Sequence, residues 1–161
     1  MAQIFMICGR ICCGKSTFSK QLAKENKAVI LSVDEITLLF GQYLGDAHDE
    51  FVTKTENYLL EKAVECVQNG ISVVLDWGFW QKSQRNSVKQ FFTGMNIATQ
   101  LYYIDVADDV WHSRLKQRNI AVAAGKSDAY YIDTNILTKF ESRFEKPDDT
   151  EIDVYVRIEV I

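Results

Sequence analysis

The sequence predicts a single α/β domain in which a parallel sheet is covered by helices on both faces. Short apolar runs that fit buried strands alternate along the chain with longer stretches of helical periodicity. A chain of 161 residues with 47% hydrophobic and 25% charged residues has the size and balance of one compact globular domain. No repeat, linker or low-complexity segment interrupts it, so one three-layer domain is expected to span residues 1–161.

Five strands are predicted from the apolar runs. In chain order they are residues 3–8, 28–33, 71–75, 98–104 and 152–161. The first run ends at Gly9, the second is closed by Asp34 and the third by Asp76. Unbroken apolar runs of this length are typical of parallel strands, and the last run alternates enough to be a final strand.

Between these runs, apolar residues recur at the spacing expected of helices. The predicted helices are, in chain order, residues 16–26, 35–41, 50–68, 82–92, 108–118 and 136–144. Gly70 and Gly94 follow two of them as terminators, and the last helix ends before Pro147, the only proline. Residues 121–131 carry little periodicity and are interpreted as a mobile segment.

The charge and the apolar runs limit the partners. A net charge of -4 and a pI of about 5.2 exclude a globally basic surface for duplex nucleic acid, although a local basic channel stays open. No run approaches the ~20 apolar residues of a membrane span, and the first run is too short for a signal peptide. We expect a cytoplasmic protein without a membrane partner; a nucleic-acid partner is possible but not favoured, and the oligomeric state is open.

Residues 9–16 fit the pattern G-x-x-x-x-G-K-[ST] between a predicted strand and a predicted helix. The glycines let backbone N–H groups point at phosphates, and the helix N-terminus adds partial positive charge. Lys15 supplies a charge for the β- and γ-phosphates of ATP, Ser16 a hydroxyl ligand for Mg²⁺, and Thr17 reaches the α-phosphate side. The predicted nucleotide contacts are Gly9, Arg10, Ile11, Cys12, Cys13, Gly14, Lys15, Ser16 and Thr17. Such a string arises by chance in roughly one chain of this length in two hundred.

Three carboxylates follow the second and third predicted strands. Ligands of a doubly wound sheet bind at the carboxyl ends of its strands, so all three should open toward the phosphate site. Asp76 ends a V-V-L-D string, which is typical of an acid that holds the Mg²⁺ shell. Asp34 has two compatible interpretations: general base for an acceptor hydroxyl, or cap of the helix that starts at Glu35. Glu35 is a first-turn acid favoured by the helix dipole, with substrate contact as the alternative.

Two arginines are candidates for phosphate or adenine contacts. Arg114 and Arg118 lie four residues apart on the fifth predicted helix, and therefore on one face. The chain then enters residues 119–131, which contain Gly125 and few apolar anchors, as a lid over nucleotide would. A guanidinium group can stack on adenine or bind phosphate with two N–H groups. The alternative is a solvated helix face shared with Lys116.

Aromatic residues follow Asp76 in the string D-W-G-F-W. Trp77, Phe79 and Trp80 have two interpretations: they wall an acceptor pocket, or they pack in the core under the next helix. Arg85 falls one turn into that helix, where it either faces the acceptor or lies at the surface.

The four cysteines are predicted to be reduced thiols. Cys8, Cys12, Cys13 and Cys66 have no C-x-x-C spacing, and the chain has only two histidines to complete a zinc site. Cys12 and Cys13 lie inside the phosphate loop, so oxidation there is expected to damage nucleotide binding.

Taken together, these elements resemble a family of small P-loop kinases, the AAA_33 or zeta-toxin-like group. It includes the kinase half of phage polynucleotide kinase and chloramphenicol phosphotransferase, and the chain is closest to bacterial members described only as ATP-binding proteins. The resemblance covers essentially the whole chain and rests on the phosphate loop, S-V-D-E at 32–35, L-D at 75–76, R-x-x-x-R-N at 114–119 and F-E-x-P at 144–147.

The resemblance implies more than the residues do alone. It implies a five-stranded sheet in the order 2-3-1-4-5 with a helical lid at about 119–131. It also implies that Asp34 activates the acceptor hydroxyl, that Arg118 contacts the transferring phosphoryl group, and that Arg114 packs on or near adenine. The string at 77–80 differs from the named members, so their substrates do not carry over.

The leading hypothesis is an ATP- and Mg²⁺-dependent kinase acting on a hydroxyl of a small molecule, with Lys15, Asp34 and Arg118 as catalytic residues. A polynucleotide kinase acting on 5′-hydroxyl ends is an alternative, and a steep salt dependence of single-strand binding would indicate it. A nucleotide-dependent switch or ATPase is another alternative. A GTPase should have D-x-x-G after the third strand, whereas the glycine after Asp76 comes one place early.

Overall fold

The computed structural model describes residues 1–127, 129 and 131–159, without the side chains at positions 41, 42 and 44. Within these residues the strands are β1 Ile4–Cys8, β2 Val29–Leu31, β3 Val73–Gly78, β4 Thr99–Val106 and β5 Val154–Ile158. The helices are α1 Lys15–Asn26, α2 Val33–Leu44, α3 His48–Gln68, α4 Lys82–Thr93, α5 Asp108–Ala123 and α6 Thr134–Arg143, with a 3₁₀ turn at Gly45–Ala47. None of the described helices is both long and apolar enough to cross a membrane.

The five strands form one parallel sheet in the order β2-β3-β1-β4-β5. The order confirms the prediction. All five residues of the central strand β1 are buried, whereas the edge strands β2 and β5 are partly exposed. This is the burial pattern that makes a central parallel strand an unbroken apolar run.

Two apolar layers cover the two faces of the sheet. On one face, Met6 and Leu75 pack with Phe92 of α4 and with α3. On the other face, Ile7 packs with Trp111 of α5 and with α1. The three-layer arrangement predicted from the alternation of strands and helices is therefore confirmed.

The parallel register brings the ends of three strands to one edge of the sheet. Cys8, at the end of β1, lies beside Gly78 of β3 and Tyr103 of β4. The residues that follow these strands include the phosphate loop, the β3–α4 turn and α5. This edge is where a doubly wound sheet binds its ligands.

Most element boundaries differ from the prediction by a few residues, and three of the differences bear on the candidate site. β3 stays paired with β1 as far as Gly78, so Asp76 lies within the strand. α2 begins at Val33, so Asp34 lies in its first turn. α5 continues to Ala123, because alanine at 121 and 123 favours helix, so the segment interpreted as mobile begins inside a helix. Positions 128 and 130 of that segment lie outside the described residues.

Candidate functional site

The phosphate loop, residues 9–14, connects β1 to α1 and is held together partly by its own lysine. Lys15 Nζ donates to the carbonyl oxygen of Gly9 at 3.0 Å and to that of Arg10 at 2.9 Å. The backbone N–H of Cys13 donates to the same Arg10 carbonyl at 3.3 Å. Both lysine partners are uncharged, so these bonds leave its positive charge unneutralised beside the loop.

The N-terminus of α1 is suited to an anion. Its N-cap is Gly14, which has φ 104° and no side chain to cap the first turn, and that turn contains no acidic residue. No side chain caps the backbone N–H groups of this first turn, so they can donate to an anion bound at the start of the helix. Ser16 and Thr17 are exposed in the same turn. These residues fit a nucleotide phosphate.

The two glycines of the loop are required by close contacts. A Cβ atom at Gly9 would lie 2.6 Å from Cys13 Sγ and 2.9 Å from the carbonyl oxygen of Ile104. At Gly14 it would lie 2.7 Å from Arg114 Nη1, in a left-handed conformation that disfavours side chains. The glycines thus let the loop pack directly against β4 and α5.

Two residues join the loop to the start of α5. Arg10 Nη2 donates to the carbonyl oxygen of Val106 at 3.1 Å and to Asp108 Oδ1 at 2.6 Å. The Arg10 guanidinium lies 4.1 Å from the centre of the Trp111 ring, and Trp111 Nε1 donates to the Ile11 carbonyl at 2.6 Å. The hydrogen bond and charge of Arg10 lower the pKa of Asp108. Sequence reasoning missed Trp111, because its apolar position on α5 gave no sign of a contact with the loop.

The arginine pair of α5 also contacts the loop. Arg114 Nη1 donates to the carbonyl oxygen of Cys13 at 2.8 Å, and Arg118 Nη1 lies 3.6 Å from Cys12 Sγ. Cys12 has φ 60°, an uncommon conformation for a non-glycine residue. Both arginines are half-buried, so the solvated helix face weighed from the sequence is wrong.

Asp34 lies near the charges of this loop. Its pKa is raised by desolvation and by the negative charge of Asp76, and it is lowered by Lys15 and Arg118. Although the side chain is exposed, the protein around it is dense enough for desolvation to dominate. Four groups predicted to share a site are therefore electrostatic neighbours.

Asp34 does not cap α2. The cap is Ser32, whose hydroxyl oxygen accepts from the backbone N–H of Glu35 at 3.3 Å. The capping role weighed for Asp34 is wrong, because the helix begins before Asp34. Glu35 is exposed in the first turn, as a residue favoured by the helix dipole would be.

Asp76 and Ser16 are the residues predicted to hold Mg²⁺. Asp76 is 7% exposed at the carboxyl edge of the sheet, and Ser16 is exposed in the first turn of α1. The described residues contain no group of three or more His, Cys, Asp or Glu side chains arranged for a metal ion. One hydroxyl and one carboxylate fit Mg²⁺, which keeps several waters and takes the rest of its ligands from phosphates.

The three aromatic residues after Asp76 have different surroundings. Phe79 is fully buried in the core with φ 48°, so it cannot wall a pocket open to an acceptor. Trp77 is half-buried, stacks on Phe79 at 5.6 Å and donates from Nε1 to the Leu31 carbonyl. Trp80 packs edge-on against Phe140 of α6 at 4.9 Å.

Arg85 is a buried structural residue. It is 1% exposed and bonded to Glu151 through Nε at 2.7 Å and Nη2 at 3.1 Å. Its Nη1 donates to the carbonyl oxygens of Phe79 at 3.0 Å and Glu145 at 2.9 Å. Both positions weighed from the sequence, at the surface and facing an acceptor, are wrong, because these partners hold the guanidinium inside the protein. No local pattern marked Glu151, which is distant in sequence.

A cavity of about 160 Å³ lies between the phosphate loop and α6. Its walls are Arg10, Ile11, Trp80, Trp111, Phe140 and Phe144, with Glu141 beside them. Trp80 Nε1 is buried and lacks a hydrogen-bond partner within the described part of the chain. A larger groove of about 520 Å³ separates α5 from α6, with Leu115 and Leu137 among its apolar residues.

The segment predicted as a lid is anchored at its base. Asn119 Nδ2 donates to the Ile132 carbonyl at 2.7 Å, and its Oδ1 accepts from the Ile132 backbone N–H at 2.9 Å. The side chain of Asn119 thus bridges the two ends of the segment.

All four cysteines are free thiols, as predicted. Burial raises the pKa of Cys8 to about 12 and also raises that of Cys13. Neither buried thiol is therefore reactive at neutral pH.

The comparisons with known proteins agree with this fold. The family model AAA_33, described as an AAA domain, matches residues 4–147. The APS kinase CysC of Mycobacterium tuberculosis, in complex with AMPPNP and APS, is similar with a TM-score of 0.70 and 14% identity, over 99% of this chain and 90% of that one.

Two further solved structures are a sugar kinase from Janibacter and a gluconokinase from Sinorhizobium meliloti. Both have a TM-score of 0.64 and 12% identity. The match to the sugar kinase covers 98% of this chain and 86% of that one. The match to the gluconokinase covers 97% of this chain and 81% of that one. At such identities the likeness shows the fold. No curated protein matches the sequence.

Proposed function

The chain belongs to the AAA_33 family, and on that basis we propose that it is an ATP-dependent phosphotransferase that moves the γ-phosphoryl group to a hydroxyl group of a small molecule. The whole chain 1–161 acts as one domain, and residues of about 119–131 form its lid. The protein works in the cytoplasm on a nucleotide and a small acceptor.

The observation that carries the proposal is the clustering of four charges at the phosphate loop. The carboxylate of Asp34 interacts electrostatically with Lys15, Asp76 and Arg118. Nucleotide binding alone accounts for Lys15 and Asp76, whereas Asp34 is a second carboxylate beside the same loop. A kinase needs such a group beside the acceptor.

Phosphoryl transfer needs positioning and charge neutralisation more than covalent chemistry from the protein. The phosphates bind to the N–H groups of the loop and to Lys15. Ser16 and Asp76 would hold Mg²⁺, which would supply positive charge to neutralise the phosphates. Arg118 supplies positive charge to the transferring group, and Arg114 packs toward adenine.

Asp34 is the general base of the proposed reaction. It accepts the proton of the acceptor hydroxyl as the oxygen attacks the γ-phosphorus; the bond from the γ-phosphorus to the β,γ-bridging oxygen breaks, and ADP leaves. A base is more effective when its pKa lies nearer the working pH, and desolvation moves the pKa of Asp34 in that direction. Glu35, Trp77 and Trp80 lie within a few residues of Asp34 or Asp76 in the sequence, and we propose that they contact the acceptor.

The first experiment incubates the protein with ATP, Mg²⁺ and pooled acceptors, and measures both ADP release and new phosphorylated masses. The pools contain nucleosides, 5′-hydroxyl oligonucleotides, sugars, sugar nucleotides, aminoglycosides and phenicols. We expect a phosphorylated product from one small-molecule pool. An oligonucleotide product would indicate a polynucleotide kinase instead.

Asp34→Asn is the critical variant, and Asp46→Asn, an exposed aspartate in the turn after α2, is its matched control. We expect Asp34→Asn to lower kcat by roughly 10²–10⁴-fold with ATP affinity kept, whereas the control keeps full activity. ADP release that is equal in both variants and gives no product would reject the kinase in favour of an ATPase or switch.

A further inference from the structure

The aromatic cavity beside the phosphate loop has the composition of an ammonium site. Four of its walls are the rings of Trp80, Trp111, Phe140 and Phe144, from the β3–α4 turn, α5, α6 and the residue after α6. The face of an aromatic ring attracts a cation, most strongly when the ring is tryptophan. Sets of such rings are the usual binding sites for quaternary ammonium groups.

One wall of the cavity already stabilises a cation. The guanidinium of Arg10 lies 4.1 Å from the centre of the Trp111 ring. The charge of Arg10 is offset by Asp108 at 2.6 Å, so it does not leave the cavity with an uncompensated positive charge. The rings of Trp80, Phe140 and Phe144 remain for a ligand.

A carboxylate completes the charge balance. Glu141 lines the cavity and is exposed, and it forms no ion pair with any residue that the structure describes. Arg10 already has Asp108 as its ion-pair partner from outside the cavity, so the carboxylate of Glu141 is available to a ligand. Neighbouring charge therefore favours a cation over a neutral or anionic group of the same shape.

The size of the cavity limits the ligand. Its volume of about 160 Å³ is close to that of the ~150 Å³ cavities that bind one benzene ring. It holds a trimethylammonium group or a comparably small alkylamine, but not a nucleoside or a peptide. We infer that this cavity binds a small alkylammonium group; the inference rests on the proposed function only in assigning that group to the phosphoryl acceptor, which would then be an amino alcohol.

The test is a titration of the nucleotide-free protein with choline chloride, followed by tryptophan fluorescence at constant ionic strength. Trp80 and Trp111 report directly, because both rings line the cavity. The comparison ligand is the neutral isostere of choline in which carbon replaces the nitrogen. We expect saturable binding of choline, about tenfold tighter than that of the isostere. Equal affinities, or no binding of choline, would overturn the inference.

Two variants locate the binding. Glu141→Gln is expected to weaken choline binding several-fold and leave the isostere unchanged, whereas Glu61→Gln, an exposed site on α3, changes neither. Phe140→Leu keeps apolar volume but removes one ring face, and it is expected to weaken choline more than the isostere. Choline affinity that is unchanged in Glu141→Gln and Phe140→Leu would place the site elsewhere. No ATP is present, so the result is independent of whether the kinase assay succeeds.

Discussion

Lys15 and Asp34 are the two residues whose surroundings define the site most directly. Lys15 donates to two carbonyl groups of its own loop, which are uncharged partners. Asp34 has a raised pKa in spite of two nearby cations, because desolvation outweighs their attraction. In the proposed reaction, Lys15 serves the transfer of the phosphoryl group and Asp34 the transfer of the proton, and the two residues lie beside the same loop.

The raised pKa of Asp34 predicts an effect of pH on stability. Its folded pKa lies above the unfolded value, so the folded state binds the proton more tightly, and stability falls as the pH rises through the interval between the two values. Asp34→Asn should therefore be more stable than the wild type at pH 7, with a difference that disappears in acid below the unfolded pKa. Urea unfolding at several pH values measures this; a variant that is less stable at pH 7 would contradict it.

Ser19 on α1 gives a second prediction for a single residue. It is fully buried, and its hydroxyl lacks a hydrogen-bond partner among the described residues. Ser19→Ala removes this unsatisfied group and improves helix propensity, so it should stabilise the protein by about 0.5–1.5 kcal/mol. That corresponds to a Tm increase of roughly 1–6 °C.

The control for Ser19→Ala is Ser113→Ala, an exposed position inside α5. It isolates helix propensity and should give only a few tenths of a kcal/mol. Equal Tm shifts in the two variants would show that the buried hydroxyl has no effect of its own.

Among the secondary-structure elements, one buried ion pair connects segments that are far apart in the sequence. Arg85 of α4 binds Glu151 before β5 and also the carbonyl groups of Phe79 and Glu145. Glu145 in turn accepts from the backbone N–H of Lys82 at 2.8 Å, at the N-terminus of α4. The β3–α4 turn and the chain after α6 are thereby fixed to each other, and with them two walls of the aromatic cavity.

Arg85→Met is predicted to be strongly destabilising. It removes the guanidinium donor from Glu151 and from the carbonyl oxygens of Phe79 and Glu145, and breaking one side of a buried pair typically costs about 3–5 kcal/mol. Lys62→Met breaks the exposed pair with Glu65 on α3 and should cost less than about 1 kcal/mol. Urea unfolding of both variants measures the contrast, and similar losses would show that the burial of Arg85 has no energetic weight.

The same pair makes a pH prediction. The hydrogen bond from Arg85 lowers the pKa of Glu151 below its unfolded value. Its contribution to stability is therefore complete above the unfolded pKa, near 4.5, and is lost as the pH falls through the folded pKa. Glu151→Gln should accordingly lose less stability than the wild type between pH 5 and pH 3.

For the whole molecule, the proposed nucleotide site predicts that ATP stabilises the fold. At a concentration of 100 Kd, a ligand that binds only the folded state adds about 2.7 kcal/mol, which raises the Tm of a domain this size by roughly 5–10 °C. Lys15→Ala removes the charge that is proposed to bind the phosphates and should abolish most of the shift, whereas Lys20→Ala, exposed on α1, should keep it. A full shift in Lys15→Ala would contradict the assignment of the loop.

Several features of the protein follow from local sequence alone. The sheet and most helices were predictable because the apolar pattern within each segment indicates which of its residues are buried. An unbroken apolar run indicates a buried strand, and apolar residues at helical spacing indicate a helix with one buried face. The phosphate loop was predictable for a related reason: its glycines, Lys15 and Ser16 are adjacent in the chain and act through the backbone between them. The positions of Asp34 and Asp76 near the loop followed from the rule that parallel strands end at one edge.

Only the tertiary structure decided which long-range partners each side chain has. Arg85 was expected at the surface or at an acceptor, but Glu151, separated from it by most of the second half of the fold, holds it inside. Phe79 and Trp80 are neighbours in the chain, yet one lies in the core and the other faces α6. Burial and pairing between distant segments depend on how the layers pack, and a local pattern does not contain that information.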